Sequence, residues 1–192
     1  MQLLVSETRV LTTAEYEELR SQLSPDHRLL FDGLIFTGMR ATEFERFLEH
    51  PEWYDPNRQY IGLPKGASLK VKARVRARPI LLSSFGNRAM RDLIDNVRRA
   101  KVHFASRQSW RNNLSRAAEK AGLEPEGIVP KMTRKTWVSW LMASYPQCAM
   151  QISFSMGHDL RTMQEHYLNL PFSKKEIEEI RPYVQGWGNF DL

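Results

Sequence analysis

The chain has few of the features that would place it outside the cell or in a membrane. It has one cysteine, Cys148, among 192 residues, which excludes an intrachain disulfide and argues against a cysteine-rich metal site. It has no run of about 18 apolar residues that would predict a transmembrane helix. Its first four residues lack the charged and apolar regions of a signal peptide. We therefore expect an intracellular, cytoplasmic protein without a membrane partner.

Signatures of nucleotide and metal chemistry are missing as well. The sequence has no glycine-rich P-loop, so no nucleotide cofactor is implied. It has no carboxylate cluster of the kind that holds Mg²⁺ in two-metal nucleases. His158 and His166 have no partner cysteines, so they do not predict a zinc site. The sequence thus predicts neither a cofactor nor a metal.

What the chain has instead is a surplus of positive charge. Its net charge is +6, and apolar residues make up 42% of it, enough for the core of one ordinary domain. A basic surplus favours a polyanionic partner. Many basic proteins bind no polyanion, so charge alone does not decide the matter.

Much of the positive charge lies between two predicted short strands, residues 59–63 and 78–83. Basic residues there alternate with small or apolar ones, and this period of two predicts a β-ribbon with one cationic face. A solvated hairpin is the alternative, but residues 65–76 include no acidic residue, which favours contact with phosphate. The predicted DNA contacts are Lys70, Lys72, Arg74, Arg76 and Arg78, with Arg98, Arg99 and Lys101 on the next helix.

Most of the remaining chain is predicted to be helical, so the fold class is mainly α with a small β-sheet or β-ribbon. Ser, Thr and Pro mark the helix starts, and Gly and Pro mark the ends. The predicted helices are 12–23, with Thr12 and Glu15 as a capping box; 24–38; 41–48; 87–104; one from Ser106 or Ser109 to 121; one capped by Thr133; 150–156; 160–167; and a last helix capped by Ser173.

Three short motifs carry the residues of greatest chemical interest. The first motif is T-G-M-R at residues 37–40 with Glu43 beyond it, the second is K-M-T-R at 131–134, and the third is M-G-H at 156–158 with Tyr167 nine residues after the histidine. Arg40 and Arg134 suit a pentacoordinate phosphorane, because a guanidinium binds two oxygens and keeps its proton. For either arginine alone, a surface ion pair is the alternative.

The order and spacing of these motifs resemble the tyrosine recombinase (phage-type integrase) family over about residues 11–167. The family's boxes read T-G-x-R-x-x-E, H-x-x-R and L-G-H, with a tyrosine nine residues after the last histidine. Lys131 and Met156 depart from this pattern. With Lys131 the chain resembles some archaeal and viral members, which points to a mobile element, virus or plasmid.

The resemblance implies the DNA breaking–rejoining enzyme fold and site-specific recombination or integration through a 3′-phosphotyrosine. Tyr167 would be the nucleophile, and His158 would donate a hydrogen bond to a non-bridging oxygen. Glu43 would orient Arg40. Lys131, which stays protonated, would contribute positive charge.

A lysine near the tip of the β-ribbon would protonate the leaving 5′-oxygen in such an enzyme. Lys65 fits best because it follows the first predicted strand and precedes Gly66. Lys70 or Lys72 would take the role if the tip lies later.

The resemblance also divides the chain into residues 1–10 as an N-terminal extension, 11–170 as the catalytic domain and 171–192 as a helical tail. The tail's apolar face, with Ile177, Ile180 and Val184, is expected to dock on a neighbouring subunit, and folding back on its own domain is the alternative. The family's N-terminal core-binding domain has no counterpart, which favours a fragment over a naturally short form.

The expected partner is double-stranded DNA at an attachment site, with a homotetramer on DNA and a monomer or weak oligomer without it. Two other functions remain open. One is strand relaxation of the type IB topoisomerase kind. The other is DNA binding without catalysis, which the lysine in the second motif makes conceivable.

Overall fold

The structure is a computed structural model that describes residues 3–5, 7–67, 77–99, 106–158, 161 and 170–189. Several predictions fall outside the described residues. They are the second half of the cationic ribbon, most of the helix predicted over 160–167, one basic residue of the helix predicted over 87–104, and the nucleophile: Lys70, Lys72, Arg74, Arg76, Lys101 and Tyr167.

The described residues form a mainly helical fold with two small antiparallel sheets, which confirms the predicted fold class. The strands are β1 (Leu3–Val5), β2 (Thr8–Val10), β3 (Tyr54–Asp55), β4 (Tyr60–Leu63) and β5 (Arg78–Leu81). The helices are α1 (Thr13–Ser21), α2 (Pro25–Thr37), α3 (Ala41–Glu49), α4 (Ser84–Arg98), α5 (Arg107–Lys120), α6 (Met132–Ser144), α7 (Ala149–Met156) and α8 (Lys174–Val184). None of the described helices is long and apolar enough to cross a membrane.

Side-chain caps start four of the eight described helices where the sequence predicts them, at Thr12, Ser24, Ser106 and Ser173. Thr12 accepts from the backbone N–H of Glu15 at 3.2 Å, and the Glu15 carboxylate accepts from the N–H of Thr12 at 2.9 Å. Thr133 is an exception, because α6 already begins at Met132 and the Thr133 hydroxyl donates to the carbonyl of Pro130 at 3.1 Å. The prediction that Thr133 caps this helix is therefore wrong.

A hairpin of β1 and β2 packs on α6 at the N-terminal end of the described chain. The N–H of Leu11 donates to Thr136 Oγ1 at 3.0 Å, and Trp140 Nε1 donates to the carbonyl of Leu11 at 2.9 Å. Val5 and Val10 are buried in the core. The segment predicted to be an extension therefore contributes to the same core as the helices.

The centre of the fold is the pair α2 and α6, which carries the first two motifs. Helix α4 runs antiparallel along α2, since Gly86 lies against Phe36 and Leu93 lies against Gly33. A Cβ at Gly33 would come within 2.9 Å of Leu93 Cδ2 and 2.6 Å of Phe44 Cζ. Close packing on both sides fixes the end of α2, from which the first motif leads away.

Helix α8 packs back on its own domain. Ile180 and Val184 are buried, and the Tyr183 hydroxyl donates to Glu17 Oε1 at 2.6 Å. The N–H of Ser84 donates to the carbonyl of Gln185 at 2.9 Å. Two of the three residues of the apolar face are thus covered by the chain itself, which is the alternative placement, and docking on a neighbouring subunit on DNA stays a prediction.

Candidate functional site

Arg134 lies in the first turn of α6 and joins the three motifs. Its Nη1 donates to the carbonyl of Gly38 at 2.7 Å, its Nη2 donates to the carbonyl of Met156, and its Nε donates to His158 Nε2 at 3.2 Å. The residue is 8% exposed. The structure thus brings Arg134 and His158 into contact, around one guanidinium.

Gly38 lets the first motif approach the third. It ends α2 with φ of 59°, in the left-handed region that disfavours residues with a Cβ. A Cβ here would lie 2.6 Å from Met156 Sδ and 3.0 Å from Trp137 Cδ1. The glycine therefore supplies both the turn toward Arg40 and the space that the third motif occupies.

Gly157 ends α7 in a similar left-handed turn. Its φ is 65°, its N–H donates to the carbonyl of Phe154 at 3.0 Å, and the N–H of His158 donates to that of Ser153 at 2.9 Å. These two bonds satisfy the last carbonyls of the helix in a Schellman-type cap. A Cβ would come within 3.0 Å of the Arg78 guanidinium. The cap thereby aims His158 at Arg134.

Gly157→Ala should destabilise the protein more than Gly122→Ala. Both glycines have a left-handed backbone, with φ of 65° and 66°, so each alanine should cost about 1–2 kcal/mol of unfolding free energy. Only Gly157 lies against another group, because nothing lies within 4 Å of a Cβ at Gly122. Displacing Arg78 should add about 1 kcal/mol or more. Denaturant unfolding measures the difference, and equal losses would contradict the close contact with Arg78.

Arg40 begins α3 and is held there by Glu43. The N–H of Arg40 donates to Glu43 Oε2 at 2.9 Å, and Arg40 Nη1 donates to Glu43 Oε1 at 2.8 Å. The Glu43 side chain is fully buried, whereas 34% of the Arg40 side chain is exposed. This is the contact that an orienting role for Glu43 requires, and it leaves part of Arg40 accessible to a ligand.

Arg78 is the site residue that sequence reasoning misplaced. Its Nη2 donates to Glu43 Oε2 at 3.0 Å and its Nε donates to the carbonyl of Ser155 at 3.0 Å, and its side chain is 4% exposed. The guanidinium lies between Glu43 and α7, a placement that does not favour the predicted contact of Arg78 with DNA. Successive side chains in a strand alternate between its two faces, and Arg78 shares the inner face of β5 with the buried Ile80. That apolar neighbour two residues on was the signal for an inward arginine.

The charges around Glu43 keep it ionised. Burial raises the pKa of Glu43, but Arg78, the N–H of Arg40 and the charges of Arg40 and Arg134 outweigh burial and hold the pKa below its usual value. Because the folded-state pKa is lowered, the carboxylate stabilises the fold above the usual glutamate pKa. That stabilisation is lost as the pH falls through the folded-state value.

The two predicted site lysines are both exposed. Lys65 lies in the turn after β4, where the carbonyl of Gly66 accepts from Arg46 Nη1. Lys131 directly precedes α6, three residues before Arg134. Burial lowers the pKa of Lys135, and the charge of Lys131 lowers it further. Positive charge is thus concentrated at the start of α6.

Arg98 and Arg99 do not join this cluster. Gly86 lies against Phe36, at the end of α2 that leads to Arg40. Arg98 is twelve residues farther along α4, or roughly 18 Å at 1.5 Å per residue. It lines a separate groove of about 310 Å³ with Arg91 and Tyr54. In the described part of the chain, no group of three or more His, Cys, Asp or Glu side chains is placed to hold a metal.

Comparison with known proteins gives a fold but no sequence match. No family model matches the sequence, and no curated protein matches it. A crystal structure of XerA recombinase has a TM-score of 0.63 and 16% identity, covering 95% of this chain and 65% of that one. XerH site-specific recombinase bound to difH substrate, in a pre-cleavage complex, has a TM-score of 0.60 and 20% identity, covering 92% of this chain and 54% of that one.

A third structure, XerH bound to a palindromic difH substrate in a post-cleavage complex, has a TM-score of 0.58 and 19% identity, covering 88% of this chain and 51% of that one. At such identities the likeness establishes the fold, which is that of tyrosine recombinase catalytic domains. The chain spans between about half and two thirds of the length of these structures.

Proposed function

We propose that this chain is the catalytic part of a site-specific DNA recombinase or integrase that breaks and rejoins strands through a 3′-phosphotyrosine. The observation that carries the proposal is the Arg134 guanidinium, which joins the first motif at Gly38 and the third at His158. The fold shared with Xer recombinases supports the same function. So does the partly exposed Arg40, held beside this centre by Glu43.

In the proposed reaction, the Tyr167 oxygen attacks the scissile phosphorus and the 5′-oxygen leaves. Arg40 and Arg134 stabilise the charge that develops on the non-bridging oxygens. His158, whose Nε2 accepts from Arg134 Nε without DNA, turns to donate a hydrogen bond to one of these oxygens when DNA is bound. The bond energy is kept in the phosphotyrosine, which a DNA 5′-hydroxyl then attacks to release Tyr167. Each step exchanges one phosphodiester for another, so no nucleotide is consumed.

A pool of nicked duplexes of randomised sequence tests this function and selects the attachment site in the same experiment. A nick beside the scissile phosphate lets the short leaving strand diffuse away and traps the covalent complex. We expect a detergent-resistant protein–DNA adduct enriched in one sequence, with Tyr167 in the modified peptide. Binding without any adduct would favour a silent DNA-binding protein. Site-independent relaxation of supercoiled plasmid would favour a type IB topoisomerase.

Lys65 is proposed as the general acid, because it is exposed in the turn after β4. A substrate with sulfur in place of the 5′-bridging oxygen releases a leaving group that needs no proton. This substrate should restore cleavage by Lys65→Ala to within about tenfold of wild type and should not restore Arg134→Ala. If the substrate instead restores cleavage by Lys70→Ala or Lys72→Ala, that lysine is the general acid.

Double-stranded DNA is the proposed partner, and a homotetramer is the proposed assembly on it. The similar XerH complex carries a palindromic substrate, and a palindrome presents the same half-site to two copies related by a dyad. Light scattering with and without the selected duplex measures the change in stoichiometry. Four chains on two paired duplexes are expected, and a complex that never exceeds two chains at saturation would contradict the assembly.

A further inference from the structure

Arg78 is a second buried link, beside Arg134, between the first and third motifs. One end of its guanidinium meets Glu43 Oε2 at 3.0 Å, and its Nε meets the carbonyl of Ser155 in α7 at 3.0 Å. Glu43 in turn holds Arg40, and α7 ends at the glycine that aims His158. One side chain on β5 therefore contacts two of the three elements that carry phosphate-binding residues of the proposed reaction.

We propose that Arg78 is a positioning residue for strand cleavage, acting through the Glu43 carboxylate on Arg40 and through Ser155 on the end of α7. The inference rests on the proposed function, since the group it positions is the arginine assigned to the scissile phosphate. Arg78 itself is buried and does not touch DNA in this role.

The geometry gives Glu43 three hydrogen bonds that depend on one another. Its Oε1 accepts from Arg40 Nη1 at 2.8 Å, while its Oε2 accepts from both the N–H of Arg40 and Arg78 Nη2. Because the carboxylate is planar, the Arg78 bond helps to fix the plane in which Oε1 meets the Arg40 guanidinium. Removing Arg78 frees the carboxylate to rotate and leaves Arg40 with a less defined partner.

The charges lead to the same conclusion. Among the described residues, the charged groups that act on Glu43 are Arg40 on α3, Arg78 on β5 and Arg134 on α6. Burial raises the pKa of Glu43, and Arg78 is the largest influence that lowers it. Without Arg78, only two arginines oppose the effect of burial on the pKa of Glu43, so Glu43 should take up a proton at a higher pH. A protonated Glu43 would accept more weakly from Arg40.

The cleavage test follows the single-turnover rate against pH for the full chain, using the selected nicked duplex. Arg78→Gln should lower the rate roughly 10–100-fold, in keeping with a small misplacement of a reacting group, with the Kd for DNA changed less than about threefold, because no DNA contact is lost. Its rate should also fall off at a higher pH than that of wild type. Adding Glu43→Gln should remove this difference in pH dependence, since the titrating group is gone.

Two further variants separate positioning from mere loss of structure. Arg78→Lys keeps a positive charge beside Glu43, so it should retain the wild-type pH dependence even if its rate falls. Arg20→Gln is the matched control, because Arg20 also pairs with a buried carboxylate, Asp32, at 2.8 Å on α1 and α2. It should lower stability and leave the pH dependence of cleavage unchanged. A pH profile for Arg78→Gln that runs parallel to wild type would overturn the proposal.

Infrared titration of the protein without DNA measures the effect of Arg78 on the protonation of Glu43. A protonated-carboxyl band that is present in Arg78→Gln, and absent from both wild type and Arg78→Gln/Glu43→Gln, is expected at the pH where cleavage falls. If wild type forms no adduct, the proposed function fails and the positioning role falls with it, although the band would still report the Arg78–Glu43 linkage. If wild type cleaves and the band does not differ between Arg78→Gln and wild type, the inference alone is overturned.

Discussion

Tyr167→Phe should give a protein that binds DNA as tightly as wild type and forms no covalent adduct. The substitution removes only the attacking oxygen, while the residues proposed to bind phosphate remain. Loss of a nucleophile from a protease lowers kcat by about 10⁶-fold, so the adduct should fall below detection. Denaturing electrophoresis of the trapped complex measures the adduct, and a binding titration on the same duplex measures the affinity.

Most of the other tyrosines are occupied in ways that make them poor nucleophiles. Their hydroxyls donate to protein acceptors: Tyr16 to Asp32, Tyr54 to Asn87, Tyr145 to Val184 and Tyr183 to Glu17. In each of the four, burial is the largest cause of a raised pKa, and for Tyr54 the pKa is about 12.

Tyr183→Phe is the matched control for the nucleophile, because it also removes one hydroxyl and should still form the adduct. An adduct that survives in Tyr167→Phe would show that the nucleophile lies elsewhere. Tyr60, on the exposed side of β4, would then be the next tyrosine to test.

Arg134→Ala should lower the cleavage rate by about 10²–10³-fold, the loss typical of removing one donor to a charged transition state. It should also destabilise the fold, because the carbonyls of Gly38 and Met156 each lose a buried donor. Such an unsatisfied group costs about 1–3 kcal/mol. Cleavage must therefore be compared at a temperature where denaturant curves show both proteins folded.

Two variants complete the test of Arg134. Arg134→Lys retains the charge, but a single ammonium cannot reproduce the fork that reaches Gly38, Met156 and His158, so it should also lose more than about tenfold in rate. Arg181→Ala removes an exposed arginine from α8 and should change neither the rate nor the stability appreciably. Cleavage by Arg134→Ala within threefold of wild type would contradict the assignment.

Local signals in the sequence were enough to find most of the helices. Ser24, Ser106 and Ser173 each cap a helix as predicted, because a short polar side chain next to a free N–H is a local feature. The strands β1, β2 and β3 were not found, since each has only two or three residues. Their stability comes from distant parts of the chain, as where Lys135 Nζ donates to the carbonyl of Val5 at 2.7 Å.

In the candidate site, too, local features were predicted and contacts between distant parts of the chain were missed. Motif spacing and the family resemblance predicted that Arg40, Glu43, Arg134 and His158 act together, and the structure joins the first two by one ion pair and the last two by one hydrogen bond. The buried place of Arg78 was missed, because its partner Glu43 lies 35 residues away in sequence. The role of Ser155 was also missed, because it offers a backbone carbonyl, which has no signature in a sequence.

Two of the groups that hold the Arg134 guanidinium are peptide carbonyls, those of Gly38 and Met156. Every amino acid carries that acceptor, so the identity of the surrounding side chains can drift without removing a partner of the guanidinium. The path of the backbone is more constrained, because Gly38 and Gly157 hold it in the left-handed conformation. The site can therefore keep its chemistry while its sequence changes. Most of the neighbouring side chains could be replaced during evolution, and Arg134 would still have these two carbonyls as partners.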